Sequence, residues 1–202
     1  GSVLAFDRSG GPMPDTWPVI DHYEQTGETR LVARTFDGWC RFCVAEWKSP
    51  DHGVAQTLDS YLRQGHRRVQ LEPDVSVAHA QLAHALKRAG RPEEALSSYL
   101  RAGECVPPLP WCDWEALKIA VVLGRPREAF AAAERLSARG PVDRWNARET
   151  TPGRVAEILG ALAPRVPSAR PWLAILDKLL EQETDAEDRA TIERVRQGFA
   201  SE

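Results

Sequence analysis

Residues 90 to 95 read Gly-Arg-Pro-Glu-Glu-Ala, and residues 124 to 129 read Gly-Arg-Pro-Arg-Glu-Ala. The near-identical hexapeptide returns after 34 residues, the length of one helix-turn-helix unit, which cannot bury its apolar face alone and has to stack on neighbours. The expected fold class is therefore mainly α, an α-solenoid of stacked helix pairs. Solenoids mostly present a surface to another macromolecule, so the repeat argues for binding and against catalysis.

Outward from the first hexapeptide, Leu82, Ala83 and Leu86 supply the apolar and small positions of a helix that ends at Gly90. A residue just past a helix end often needs the left-handed conformation that only glycine adopts freely. Pro92 opens the next helix with its fixed backbone angle. Ala95, Tyr99 and Ala102 then recur at four and three residues, a small, large, small stripe suited to a close helix crossing. Pro107 closes the unit. From Pro73 to Pro107 the residues resemble a tetratricopeptide repeat, in spacing and in residue size together. A second copy from about Pro110 to Gly140 places Leu117, Ala120, Gly124, Ala129, Ala133 and Leu136 in the corresponding slots. The departures are His79, in a slot usually large and apolar, and the crowding of Trp111 and Trp114 at the start of the second copy.

The resemblance implies a concave surface lined by the first helix of each pair. That maps to Val77, Gln81, His84, Lys87 and Arg88 in the first copy and to Trp111, Trp114, Glu115 and Lys118 in the second. The candidate binding residues are Gln81, His84, Lys87, Arg88, Trp111, Trp114 and Lys118. Aromatic residues beside Lys, Arg and Gln are the chemistry of a protein-binding hot spot. The competing reading has Trp111 and Trp114 sealing the junction between repeats. The asparagine-rich clamp with which some tetratricopeptide domains hold chaperone C-termini is absent.

A third unit would bring its glycine near residue 158, where Ile158 stands, so residues 141–202 read as a degenerate repeat with capping helices. Thr150 or Thr151 before Pro152 is a helix start, followed at helical spacing by Val155, Ile158, Leu159, Leu162 and Val166. Ser168 is the expected cap of a second helix with Trp172, Leu173, Ile175, Leu176, Leu179 and Leu180. A last, mostly charged helix from about Ala186 to Phe199 carries Ile192, Val195 and Phe199 on one face.

Residues 1–48 lie outside the repeat. Val3 to Phe6, Val19 to Tyr23 and Thr29 to Ala33 read as short strands, with a turn at Thr26 and Gly27 and a small β-hairpin expected. From Thr35, a plausible N-cap, the period changes, and Phe36, Trp39, Cys40, Cys43, Val44 and Trp47 fall on one helical face. Leu4 to Gly11 (Leu-Ala-Phe-Asp-Arg-Ser-Gly-Gly), Pro18-Val19, His22, Gly27 to Arg30 and Val32 to Phe36 (Val-Ala-Arg-Thr-Phe) resemble the C-terminal part of the SMI1/KNR4 (SUKH) superfamily. The resemblance implies the last strands and closing helix of an α+β domain, and many bacterial members look like immunity proteins that neutralise a toxin. That family's N-terminal helices and first strands have no counterpart here. Three strands and a helix are a weak domain alone and are expected to pack on a helix from about Val54 to Val69. The organisation is thus 1–48, a partial α+β segment; 52–140, helical repeats; and 141–202.

The 202 residues are 43 % hydrophobic, enough for a sizeable core, and carry 26 Lys and Arg against 29 Asp and Glu, a net charge of −3. That balance gives no global attraction to nucleic acid or to an anionic membrane. No apolar run approaches the roughly 20 residues that span a bilayer. Gly1 and Ser2 read as a tag scar rather than a signal peptide, and a cytoplasmic location is expected. Four cysteines suit a reducing compartment, and abundant Ala and Arg with scarce Lys resemble chains from GC-rich bacteria.

Cys40 and Cys43 form a CxxC, which could grip zinc or serve as a redox pair. Zinc would need two further ligands, Cys105 and Cys112 being the remaining cysteines, and a redox motif should open a helix after a strand rather than lie mid-helix. The plainer reading makes both cysteines small apolar fillers on a buried helix face. His79 and His84, five apart, fall on different faces, one expected to pack and one to be exposed. No P-loop, G-x-S-x-G or dinucleotide-binding glycine motif occurs, so no enzyme, cofactor or resident metal is expected. His66-Arg67-Arg68 and Lys87-Arg88 are the local basic features, either solvated helix faces or the flanks of a groove for an acidic peptide or phosphate. The leading reading is a non-catalytic protein-protein interaction module. Its alternatives are a bacterial toxin-immunity protein and a zinc-binding scaffold on Cys40 and Cys43.

Overall fold

A computed structural model of the chain describes residues 2–6, 18–23, 28–53, 57–105, 108–139, 151–166 and 168–200. The described residues are mainly helical, with a small antiparallel sheet of three strands at the N-terminus. Two compact units divide the chain, Gly1–Leu109 and Pro110–Glu202.

In the first unit β1 (Ser2–Phe6), β2 (Val19–Tyr23) and β3 (Glu28–Ala33) lie in sequence order, with Ser2 opposite Tyr23 and Val19 opposite both Phe6 and Ala33. Buried Val19 and Ala33 anchor the sheet. The expected turn at Thr26 and Gly27 lies outside the described residues. Helix α1 (Phe36–Trp47) starts on Thr35, whose hydroxyl accepts the Gly38 N–H at 3.0 Å. Helix α2 (Leu58–Leu71) begins on Thr57 rather than near Val54, because the Thr57 and Ser60 side chains each accept the other's backbone N–H and so set the first turn.

Helices α3 (Ser76–Arg88) and α4 (Pro92–Glu104) form the first hairpin. Gly90 takes φ 71°. The Arg91 N–H donates to the Leu86 carbonyl at 3.0 Å and the Gly90 N–H to that of Lys87 at 3.2 Å, the two bonds of a Schellman end. The core is built from Ala78, Leu82, Ala83 and Leu86 against Ala95, Leu96, Tyr99 and Ala102, all buried.

The second unit repeats the device. Helices α5 (Pro110–Val122) and α6 (Pro126–Arg139) flank Gly124 at φ 64°, and the Arg125 N–H donates to the Ala120 carbonyl at 2.8 Å. Buried Asp113 accepts from Arg135 at 2.7 Å and from Arg139 at 2.6 Å, joining the two helices. Helix α7 (Pro152–Gly160) starts on Thr151 as expected but stops before Leu162 and Val166. Pro164 has no N–H to continue the ladder and its ring meets the carbonyl four residues back, so Ala163–Arg165 tightens into a 3-10 turn. Helix α8 (Arg170–Gln182) begins after Ala169 with no side-chain cap, so Ser168 does not act as one. Trp172 of α8 meets Phe130 edge-on at 5.3 Å and stacks on Phe199 of α9 (Ala186–Ala200) at 6.0 Å.

Candidate functional site: the outer face of the first hairpin helix

Helix α3 separates two chemistries by its 3.6-residue period. Ala78, Leu82, Ala83, Ala85 and Leu86 are buried, whereas Gln81, His84, Lys87 and Arg88 are exposed along the opposite face. Lys87 and Arg88 fall in the last turn, where the helix carbonyls favour cations. His84 is exposed and His79 is buried, its Nε2 bonded to the Pro73 carbonyl at 2.7 Å. That division follows from their spacing of five.

The residues expected on α5 take different places. Trp111 is half-buried, Trp114 is only 3 % exposed, and Lys118 lies over the Trp114 ring, 5.2 Å from its centroid, with its ammonium 2.5 Å from Glu115 Oε1. The Trp114 indole is a packing group with its face covered, and Lys118 already has a carboxylate partner.

The basic run on α2 is largely consumed internally. Arg67 donates to Glu46 at 3.0 Å and lies 3.5 Å from Asp51, which Arg63 also binds; Arg67, Glu46 and Asp51 border a cavity of about 200 Å³ with His52, Tyr61 and Gln64. Arg68 is buried. Its guanidinium donates to Gln81 Oε1 at 2.6 Å and to the Val32 carbonyl at 3.0 Å, and stacks 4.8 Å over the Phe42 ring. Burial pushes its pKa down and that of Glu72 up, the mutual attraction of the pair opposing both shifts. His66 is exposed and Arg67 half-buried. Nothing in the local sequence marked Arg67 and Arg68 as interior groups, because their partners lie 13 to 36 residues away or on the neighbouring helix.

Helix α1 departs furthest from expectation. The face carrying Cys40 and Cys43 is not buried: both thiols are half-exposed and free, Trp47 is 67 % exposed and Val44 47 %. Among the described residues α1 packs chiefly against α2 and β3, and neither covers Val44 or Trp47. Desolvation, then neighbouring Cys40, raises the Cys43 thiol pKa, which disfavours its thiolate. Among the described residues no group of three or more His, Cys, Asp or Glu is placed to hold a metal ion, and no helix is long and apolar enough to cross a membrane.

Comparison of the chain with protein-family models, with curated proteins and with solved structures finds no match.

Proposed function

We propose that the chain is a non-catalytic protein-binding module that recognises a partner in the manner of tetratricopeptide repeats, through the first helix of its helix pairs. The observation that carries this reading is the two-faced α3, with its alanine and leucine stripe in the core and His84, Lys87 and Arg88 exposed beside Gln81, whose Oε1 is held by Arg68. The twin glycine-ended hairpins support the repeat. Recognition falls on α3 rather than on the α5 tryptophans, since Trp114 is buried. A cationic helix end beside amide and imidazole groups suits an acidic peptide segment.

Fluorescence anisotropy with acidic and charge-scrambled peptides tests this. The chain should prefer acidic peptides, and replacing both Lys87 and Arg88 by Glu should weaken binding by about tenfold or more while leaving the helical circular dichroism intact. Equal binding by the doubly substituted chain would remove α3 as the recognition surface.

A second reading, a toxin-immunity role of the SMI1/KNR4 kind, is supported by the order β1, β2, β3, α1, which matches the segment the resemblance implies. A toxin gene beside the native reading frame, and co-purification of its product, would favour it.

A further inference from the structure

The exposed stripe of α1 is a feature that the binding face on α3 leaves unused. Along it run Cys40, Val44 and Trp47, spaced four and three apart, with Trp47 67 % and Val44 47 % exposed. One flank carries Asp37, Arg41 and Lys48, which with Val44 follow the 4, 3, 4 spacing of a single helical row. Asp37 stands at the N-terminal end of that row and Lys48 at the C-terminal end, both in solvent. The row is acidic at one end and basic at the other, so it complements itself when reversed.

We propose that α1 is a self-association surface, pairing antiparallel with α1 of a second copy of the chain about a two-fold axis that passes between Phe42 and Cys43. In an antiparallel helix pair each flank faces the same flank of its mate. The axis therefore sets Asp37 opposite Lys48 twice, and lays the aliphatic stem of Arg41 against Val44 of the mate. Arg41 is held by its own Asp37 at 2.7 Å, which tempers repulsion between the two arginines near the axis. Val44 and Trp47 supply the apolar contact between the two helices. A parallel pair would set like charges side by side at both ends, and a partner of uniform charge would oppose one end of the row. The charge order thus selects a second copy in the reversed direction. A single-helix contact lies at the small end of interface sizes, below about 1,200 Å², so the dimer is weak and its population depends on concentration and salt.

Sedimentation velocity over a concentration series tests the pairing. The unmodified chain should shift from one to two copies as concentration rises, and Trp47→Ser with Val44→Glu, at exposed positions, should leave it monomeric. Asp37→Lys alone and Lys48→Asp alone each set like charges opposite one another, and each should weaken self-association by about tenfold. Mixed together, the two variants restore both pairs, and a heterodimer should form at least as tightly as the unmodified dimer. A chain that stays monomeric up to millimolar concentration overturns the proposal. So does a dimer that survives the Trp47 and Val44 substitutions, or a mixture of the charge variants, both showing native circular dichroism, that fails to associate.

Discussion

At Glu72 burial and charge oppose each other in a way that solution pH reads out. Its carboxyl is pushed up from the ordinary carboxylate range by desolvation, and the attraction of Arg68 and then Arg34 does not fully offset this. A carboxyl whose pKa is higher in the folded chain binds its proton more tightly there than when unfolded. Ionised Glu72 therefore costs stability at neutral pH, and that cost disappears as pH falls through its raised pKa toward the usual range of about 4.3. Glu72→Gln, which mimics the protonated form with Arg68 still in place, should raise the urea midpoint at neutral pH and converge with the unmodified chain in acid. A lower midpoint at neutral pH would mean that the ionised form is needed by Arg68. Glu72 is buried beside Gly38 of α1, a contact that no residue near it in the chain announces.

The helix hairpins show how the same substitution takes opposite signs at different elements. Ala favours a helix interior over Gly by about 1 kcal/mol. At Gly65, on α2, an added Cβ would meet the Leu82 Cα at 3.0 Å, so α2 and α3 would have to separate. At Gly198, on α9, nothing lies within 4 Å. Gly65→Ala is expected to destabilise by about 1–3 kcal/mol, and Gly198→Ala to stabilise by a few tenths to about 1 kcal/mol. Chemical denaturation of the two variants checks the contrast, and a stabilised Gly65→Ala would show that the crossing is loose. The hairpin turns themselves were readable in advance, because Gly90 and Gly124 act within five residues of chain. The end of α7 was set by Pro164, an equally local signal that the run of apolar residues through Val166 had masked.

In each unit a buried charged side chain ties elements together. In the first, Arg68 binds β3 and α3, stacks on α1 and stands on α2. In the second, Asp113 holds two arginines of α6. Taking the donor away from a buried neutral acceptor leaves it desolvated and unpaired, which costs about 1–3 kcal/mol. Arg68→Met keeps much of the stem but strips the Val32 carbonyl and Gln81 of their donor. It should lower stability by that order and speed amide exchange in β3 more than in α9; uniform exchange in both would assign Arg68 no tethering role. The candidate surface was half legible by the same logic. The sequence by itself determined the helix pairs, their glycine ends and the exposed polar row of α3, since each follows from residues within a turn or two. Only tertiary structure decided that Trp114, Arg67 and Arg68 turn inward while Val44 and Trp47 of α1 stay in water. Those outcomes depend on contacts from distant segments and on how much surface a three-stranded sheet can cover.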